Sequence, residues 1–431
     1  MTQPRATKVL VIGYVWPEPR SSAAGGHMMQ ILEAFQQQGW DITFSSPASS
    51  GEHRADLTAL GIREVSIELN NSSFDTFISE LAPDVVLFDR FMMEEQFGWR
   101  VEKHCPDAVR VLETSDLQSL RNARHERLKL RLKASDDADD FSELFAPALR
   151  EAFEFMADTD LAKREIAAIY RCDLNLMISQ VEIELLVEQF KVPRNLLHWC
   201  PLMVDMPSTA PVPFEDRAHF MHIGNFRHAP NWDAVLWLKN TIWPLIRARL
   251  PGAELHIYGA YTPPKATALH NAAQGFHVMN WAVDALQVMS AARVCLAPLR
   301  FGAGIKGKIL DAMLCGTPNV TTPVGAEGMH GEEPWPGAVT LTAREFADNA
   351  VRLHNDKAHW LTAQALGQTL LASRYQFADH GPALIEKLNH CRAQLQQIRR
   401  DNFTGSMLRH HQHKSTQYMA QWIEAKNRHQ P

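Results

Sequence analysis

Residues 300–320 read Arg300-Phe301-Gly302-Ala303-Gly304-Ile305-Lys306-Gly307-Lys308-Ile309-Leu310-Asp311-Ala312-Met313-Leu314-Cys315-Gly316-Thr317-Pro318-Asn319-Val320. An apolar strand, Val294 to Ala297, ends just before this stretch at about Pro298. A glycine-rich turn follows, then a helix from near Lys306 to Leu314 that Gly316 and Pro318 stop. A new strand begins at Asn319-Val320. Lysines at a helix start oppose the helix dipole unless an anion pairs with them. Three glycines and two lysines there fit a diphosphate, and Asp311, about one turn past Lys308, can accept from a ribose diol. A surface helix with solvated lysines is the bland alternative.

The same alternation runs through the chain. Short apolar runs at Val9 to Tyr14, Thr43 to Ser46, Asp84 to Asp89, Val109 to Glu113 and Leu174 to Ile178 form a first set. Phe220 to Gly224, Glu254 to Tyr258, Phe276 to Met279, Val294 to Ala297, Val320 to Thr322 and Val339 to Leu341 form a second. Continuous apolar strands separated by helical patterns imply parallel sheets covered on both faces. Residues 204–217, with three prolines and no helical period, read as an extended linker. The fold class is therefore α/β, with two doubly wound sheets. The expected domains are 1–206, 207–376 and a helical and polar tail, 377–431.

Composition narrows the function. The 431 residues hold 43 Lys and Arg against 49 Asp and Glu, a formal charge of −6, which disfavours a general nucleic-acid binder. Hydrophobic residues at 45% and charged ones at 21% exclude a disordered chain and a multi-span membrane protein. The six cysteines contain no C-x-x-C pair, so neither a zinc knuckle nor a disulfide framework is expected. The first apolar run reads as a strand, not a signal peptide, so a reduced cytoplasmic protein is the expectation. Arg121 to Lys133 is basic and an acidic run, Asp136 to Asp140, offsets it. The basic helix allows a peripheral contact with the inner membrane face, and the acidic run argues for plain solvation. The tail has apolar spacing at Ala383 to Leu388, Leu395 and Ile398, then turns polar and His-rich at 409–414. Flanking cations there argue against a metal site.

Ligands of open parallel sheets sit at the carboxyl ends of the strands. In the first loop, Gly25 and Gly26 precede the helix of Met28 and are read equally as an anion site or a tight turn. After the strand at 220–224, Arg227 stands beside a helix that Asn231 is expected to cap, where a guanidinium can fork onto phosphate or stay free on the surface. Trp281, in the loop after 276–279, either frames a base or is core. No strand turn carries the G-x-G-x-x-G spacing, which disfavours a nicotinamide oxidoreductase.

On these segments the chain resembles the family 4 glycosyltransferases of the GT-B fold. It is most similar to the subgroup with a Gly-Ala-Gly-x-Lys-x-Lys-x-x-Asp/Glu-Ala motif, here Gly302 to Ala312. The resemblance covers most of residues 8–375. It is strong over Phe220 to Leu250 and Phe301 to Met329, and looser in the first half, at Gly25-Gly26 and Ser179 to Glu182. It implies two facing Rossmann-like domains with the site in the cleft. The C-terminal domain would bind a nucleoside-diphosphate sugar. The N-terminal one would bind a glycan, lipid-linked or other hydroxyl acceptor. It further implies retention of configuration, no cofactor and no D-x-D metal site. Arg227, Lys306 and Lys308 would stabilise the leaving diphosphate, with Asp116 near the acceptor. Gly25, Gly26, Gly224, Trp281, Gly302, Ala303, Gly304 and Asp311 would line the donor. The sequence departs from the family twice: Ala303 replaces the first of two spaced glutamates, and Ser115 stands where a histidine is common. Asp116 can instead be a helix N-cap. Two competitors share the architecture: a nucleotide-sugar 2-epimerase and a non-catalytic nucleotide-sugar or glycan binder.

Overall fold

A computed structural model describes residues 5–134, 144 and 149–428; the acidic run at 136–140 lies outside the described residues. The first sheet comprises β1 (Lys8–Ile12), β2 (Asp41–Ser46), β3 (Arg63–Ser66), β4 (Val85–Asp89), β5 (Val109–Glu113), β6 (Leu174–Met177) and β7 (Leu197–Trp199). Its order is β3-β2-β1-β4-β5-β6-β7, with every pairing parallel. The second holds β8 (Phe220–Ile223), β9 (Leu255–Tyr258), β10 (Phe276–Asn280), β11 (Val294–Ala297), β12 (Asn319–Thr321) and β13 (Gly337–Val339). It runs β10-β9-β8-β11-β12-β13, again all parallel. The expected pair of doubly wound sheets is thus present.

Parallel strands bury both faces, which explains the unbroken apolar runs. Val9 and Val11 face the core that holds Ile31 and Phe35, while Leu10 and Ile12 face the one that holds Phe74 and Phe97. In each sheet the order reverses at one place, between β1 and β4 and between β8 and β11. Crevices open there at the carboxyl ends of the strands.

The linker after Val204 is stitched to the chain's return crossing: Val204 N–H donates to Tyr375 O at 2.7 Å, and Phe377 N–H to Val204 O at 3.0 Å. Helix Phe377–Ala393 then buries Leu384, Leu388 and Cys391 against the first domain's core. Two details correct the sequence expectation. Gly25 and Gly26 lie inside the first turn of helix Ala23–Gln37, not before it, because Ser22 is the N-cap and accepts from Gly25 N–H at 3.1 Å. Asn231 is not a cap: helix Ala229–Trp237 starts after His228 and places Pro230 in its first turn, where a missing N–H costs nothing. A π turn, Leu238–Ile242, then lets the helix continue past Pro244. The His-rich tail is helical to Arg428. No described helix is long and apolar enough to cross a membrane.

Candidate active site

The two domains meet at the Gly302–Gly304 turn. Gly304 has φ +63°, and a Cβ there would lie 2.9 Å from Asp116 Cβ, so both backbone conformation and close approach demand glycine. Its N–H donates to Glu182 Oε1 at 2.8 Å. The Arg124 guanidinium, from helix Gln118–Ala134, donates to Gly302 O at 2.8 Å and forks onto both Glu327 oxygens at 2.7 Å. The His125 ring stacks on Phe301 at 4.3 Å. The first domain therefore grips the turn from three sides. A Cβ on Gly307 would lie 2.5 Å from Ala23 Cβ, so the helices Gly307–Leu314 and Ala23–Gln37 start against each other across the cleft.

Both lysines point inward. Lys306 Nζ donates to Gly304 O at 2.6 Å and Ala303 O at 3.2 Å. Lys308 Nζ donates to Asn231 Oδ1 at 2.5 Å, and Asn231 is braced by its own bond to Asn225 O at 2.9 Å. Gly224 is what admits Asn231: a Cβ there would meet the Asn231 side chain at 2.5 Å. Among the described residues no carboxylate lies within 4.0 Å of either ammonium. Burial lowers the Lys308 pKa to about 7, and that of Lys306 to about 8 although Glu327 pulls it upward. Burial alone raises Asp311 to about 7, and among the described residues its carboxylate has no hydrogen-bond or ion-pair partner. Two buried ammoniums stand beside a helix start whose Gly307 and Lys308 N–H groups lack acceptors among the described residues, an arrangement of donors that suits an anion.

The facing wall is acidic. Asp89 ends β4, Glu113 ends β5, and Asp116 and Glu182 sit beside the Gly302–Gly304 turn. Burial raises Asp89 to about 6 and Glu182 to about 8, the latter with Asp116 adding repulsion. Glu113 accepts from Ser115 N–H at 2.8 Å and Ser115 Oγ at 2.9 Å, and lies 3.4 Å from His27, whose other nitrogen is 3.7 Å from Cys200 Sγ. Asp116 is ion-paired with Arg121. It does not cap helix Gln118–Ala134: the Glu165 carboxylate does, accepting from Gln118 N–H at 2.9 Å and Ser119 N–H at 3.0 Å. Four of the seven non-glycine residues with positive φ, Arg90, Ser115, Tyr261 and Asn280, lie at the carboxyl ends of strands around this cleft.

Arg227 does not join the lysines. It is exposed, its guanidinium 3.5 Å above the Tyr261 ring. Tyr261 Oη donates to Glu18 at 2.8 Å, Trp281 Nε1 to Arg20 O at 3.4 Å, and Trp281 stacks on His53 at 4.2 Å. These residues clasp the two domains together at the cleft mouth. Gly25 packs on the Glu18 backbone, while nothing approaches the Cβ position of Gly26. Sequence reasoning missed Arg124, Glu327 and Asn231 as site-building residues. It also missed His228, which is reached by cleft solvent yet kept neutral, burial with Arg121 lowering it to about 4.

Residues 217–356 match the family model of glycosyl transferases group 1. The chain superposes on HepE from Anabaena in complex with UDP and glucose, with a TM-score of 0.62 and 14% identity, over 89% of this chain and 100% of that one. Sucrose-phosphate synthase from Thermosynechococcus elongatus gives 0.64 and 15%, over 90% and 99%. WaaG, a glycosyltransferase involved in lipopolysaccharide biosynthesis, gives 0.58 and 11%, over 87% and 98%. No curated protein matches by sequence. The lysine-bearing turn thus lies within the stretch that matches this family model, and the whole chain has the two-domain fold of these GT-B structures.

Proposed function

We propose that this protein is a glycosyltransferase that moves a sugar from a nucleoside-diphosphate sugar to an acceptor hydroxyl with retention of configuration. The observation that carries this reading is the inward pair Lys306 and Lys308, unpaired with any described carboxylate, at the helix start after the Gly302–Gly304 turn. When the bond between the anomeric carbon and the phosphate oxygen breaks, negative charge grows on the diphosphate. Preorganised ammoniums and helix N–H groups stabilise that charge more than the ground state, in the role a divalent cation would otherwise fill. Asp311 accepts from the nucleoside's ribose hydroxyls. The acceptor hydroxyl enters from the first domain, on the face the phosphate leaves. Its oxygen bonds the anomeric carbon, and its proton passes to the departing phosphate oxygen, so no separate base is required. The carboxylates of Asp89 and Asp116 suit a polyhydroxylated acceptor, because each can accept hydrogen bonds from hydroxyl groups. The involvement of WaaG in lipopolysaccharide biosynthesis supports placing the product among cell-surface glycans.

The test is incubation of the purified chain with UDP, GDP and dTDP sugars and a glycoside acceptor, with and without EDTA. The expected result is acceptor-dependent release of nucleoside diphosphate in both conditions, the product keeping the donor's anomeric configuration. An inverted product would overturn retention, and loss of activity in EDTA would overturn metal independence. An epimerised sugar formed without acceptor, or no turnover with any donor, would overturn the transfer itself.

A further inference from the structure

Beyond Asn402 the chain forms one long helical arm: Phe403–Leu408, a π turn Arg409–His413, then Lys414–Arg428. It lies on the first domain, across helices Phe91–His104 and Asp160–Arg171. Its start is fixed by Asn402, which caps Gly405 N–H at 2.9 Å and donates to Tyr170 O at 2.6 Å.

The amphipathicity of this arm is inverted. The face turned to the protein is polar. Arg409 Nη1 donates to Arg171 O at 3.2 Å, His413 bridges Glu94 and Glu102, and Ser72 donates through N–H and Oγ to Glu424. Glu94 is also the buried partner of Arg171, so these inward groups close a polar network. The face turned to solvent carries the large apolar side chains: Phe403 is 70% exposed, Tyr418 64%, Met419 57% and Trp422 60%. Phe403 and Met407 lie four residues apart, as do Tyr418, Trp422 and Lys426, so each set shares a helix face. Water-facing helices normally show the reverse pattern, and large exposed apolar side chains grouped on a helix face mark a binding surface.

The charges around the stripe identify its partner. Among the described side chains from 400 to 427, the exposed ionised ones are Arg400, Lys414 and Lys426 against Asp401 alone. The Lys426 ammonium sits 5.4 Å over the Trp422 ring, at the edge of the stripe. Tryptophan and tyrosine flanked by cations match the boundary between lipid headgroups and acyl chains. A second copy of the chain fits less well, because a twofold contact would bring two cation-rich arms together with only Asp401 on each to offset them.

We propose that the outer face of helix 403–428 is the seat by which this protein lies on an anionic lipid surface. Phe403, Met407, Tyr418, Met419 and Trp422 enter the headgroup boundary, and Arg400, Lys414 and Lys426 meet lipid phosphates. The chain as a whole carries −6, so the rest of the molecule is held off the surface and docking takes one orientation. The arm rides on the first domain, so that domain is brought to the membrane. This goes beyond the proposed transfer reaction and does not depend on it.

The experiment is co-sedimentation of the full chain with phosphatidylcholine vesicles, with and without phosphatidylglycerol, needing no nucleotide sugar. The expected result is binding to the anionic vesicles only. It weakens about tenfold or more in Tyr418→Ser/Trp422→Ser, and similarly in Lys414→Gln/Lys426→Gln. Both variants change exposed side chains, and far-UV circular dichroism confirms that each is folded; should the aromatic pair fail that check, the lysine pair carries the test. Absence of binding, equal binding to neutral vesicles, or unchanged binding by the folded variants would overturn the proposal. So would a dimer in analytical ultracentrifugation that Tyr418→Ser/Trp422→Ser dissolves, since the stripe would then belong to a second copy.

Discussion

The crevice at β1 and β4 and the crevice at β8 and β11 are built alike and lined differently: the carboxylates of the first each have a cationic neighbour, Arg90, His27 or Arg121, whereas the lysines of the second have no described carboxylate within 4.0 Å. Each lies where a parallel sheet reverses its connection order, and each is bordered by loops at carboxyl strand ends. The first offers Asp89, Glu113 and Asp116; the second offers Lys306, Lys308 and a helix start. Topology therefore supplies two openings, and the residues after the strands decide what enters each. In the proposed reaction the diphosphate sits with the lysines and the polyol with the carboxylates.

The largest expected effects break that division one side at a time. Lys308→Ala should lower transfer by about 10²- to 10³-fold with the fold intact, as loss of one preorganised donor to a developing oxyanion does. Asp116→Asn, across the cleft, should raise the acceptor KM by about tenfold and leave nucleotide affinity unchanged. Steady-state kinetics with donor and acceptor varied separately reads both; a nucleotide defect in Asp116→Asn would erase the distinction between the crevices.

Next in size is the contact that joins them. Arg124→Ala removes the fork on Glu327 and the bond to Gly302 O. It should cost about tenfold in kcat/KM, and adding Glu327→Ala should cost little more, since the two act as one unit. Additive losses in the double-mutant cycle would refute the shared role.

How much of this was legible in sequence follows from distance along the chain. The Gly302-to-Asp311 turn and helix could be read because strand, turn and helix are contiguous and the helix start carries an unusual charge. β3, with the sequence Arg63-Glu64-Val65-Ser66, and β7, Leu197-His198-Trp199, escaped notice because short edge strands lack the long apolar run of buried ones. Arg124 and Glu327 lie 203 residues apart, and nothing local in either segment announces the pairing. The position of Arg227 after β8 allows a phosphate contact or a free surface cation, and its stacking on Tyr261 is not legible because that ring lies 34 residues further along the chain. The helix beyond Asn402 leaves no apolar period in the sequence because much of its buried face is polar.

A smaller effect sharpens the charge contrast through pH. The free Lys308 and Lys306 ammoniums titrate at about 7 and about 8, both lowered by burial. An anion binds their protonated forms, so affinity for a nucleoside-diphosphate sugar is full below the lower value and declines as pH rises through both. Calorimetry between about pH 7 and 9 should show a weakening on the order of tenfold, with proton uptake on binding. Affinity rising with pH would contradict the assignment. The smallest effect belongs to the clasp. Tyr261→Phe removes the bond to Glu18 and should raise the donor KM about two- to threefold at unchanged kcat.

The central claim is that a diphosphate occupies the lysine-bearing crevice of the second domain. A crystal structure of the chain with a nucleoside diphosphate tests it most directly. The account predicts phosphate oxygens at about 3 Å from the Lys306 and Lys308 ammoniums and from the Gly307 and Lys308 N–H groups, with Lys308 drawn off Asn231. A diphosphate bound elsewhere, with Lys308 still on Asn231 and Lys306 still on the Gly304 carbonyl, would contradict it.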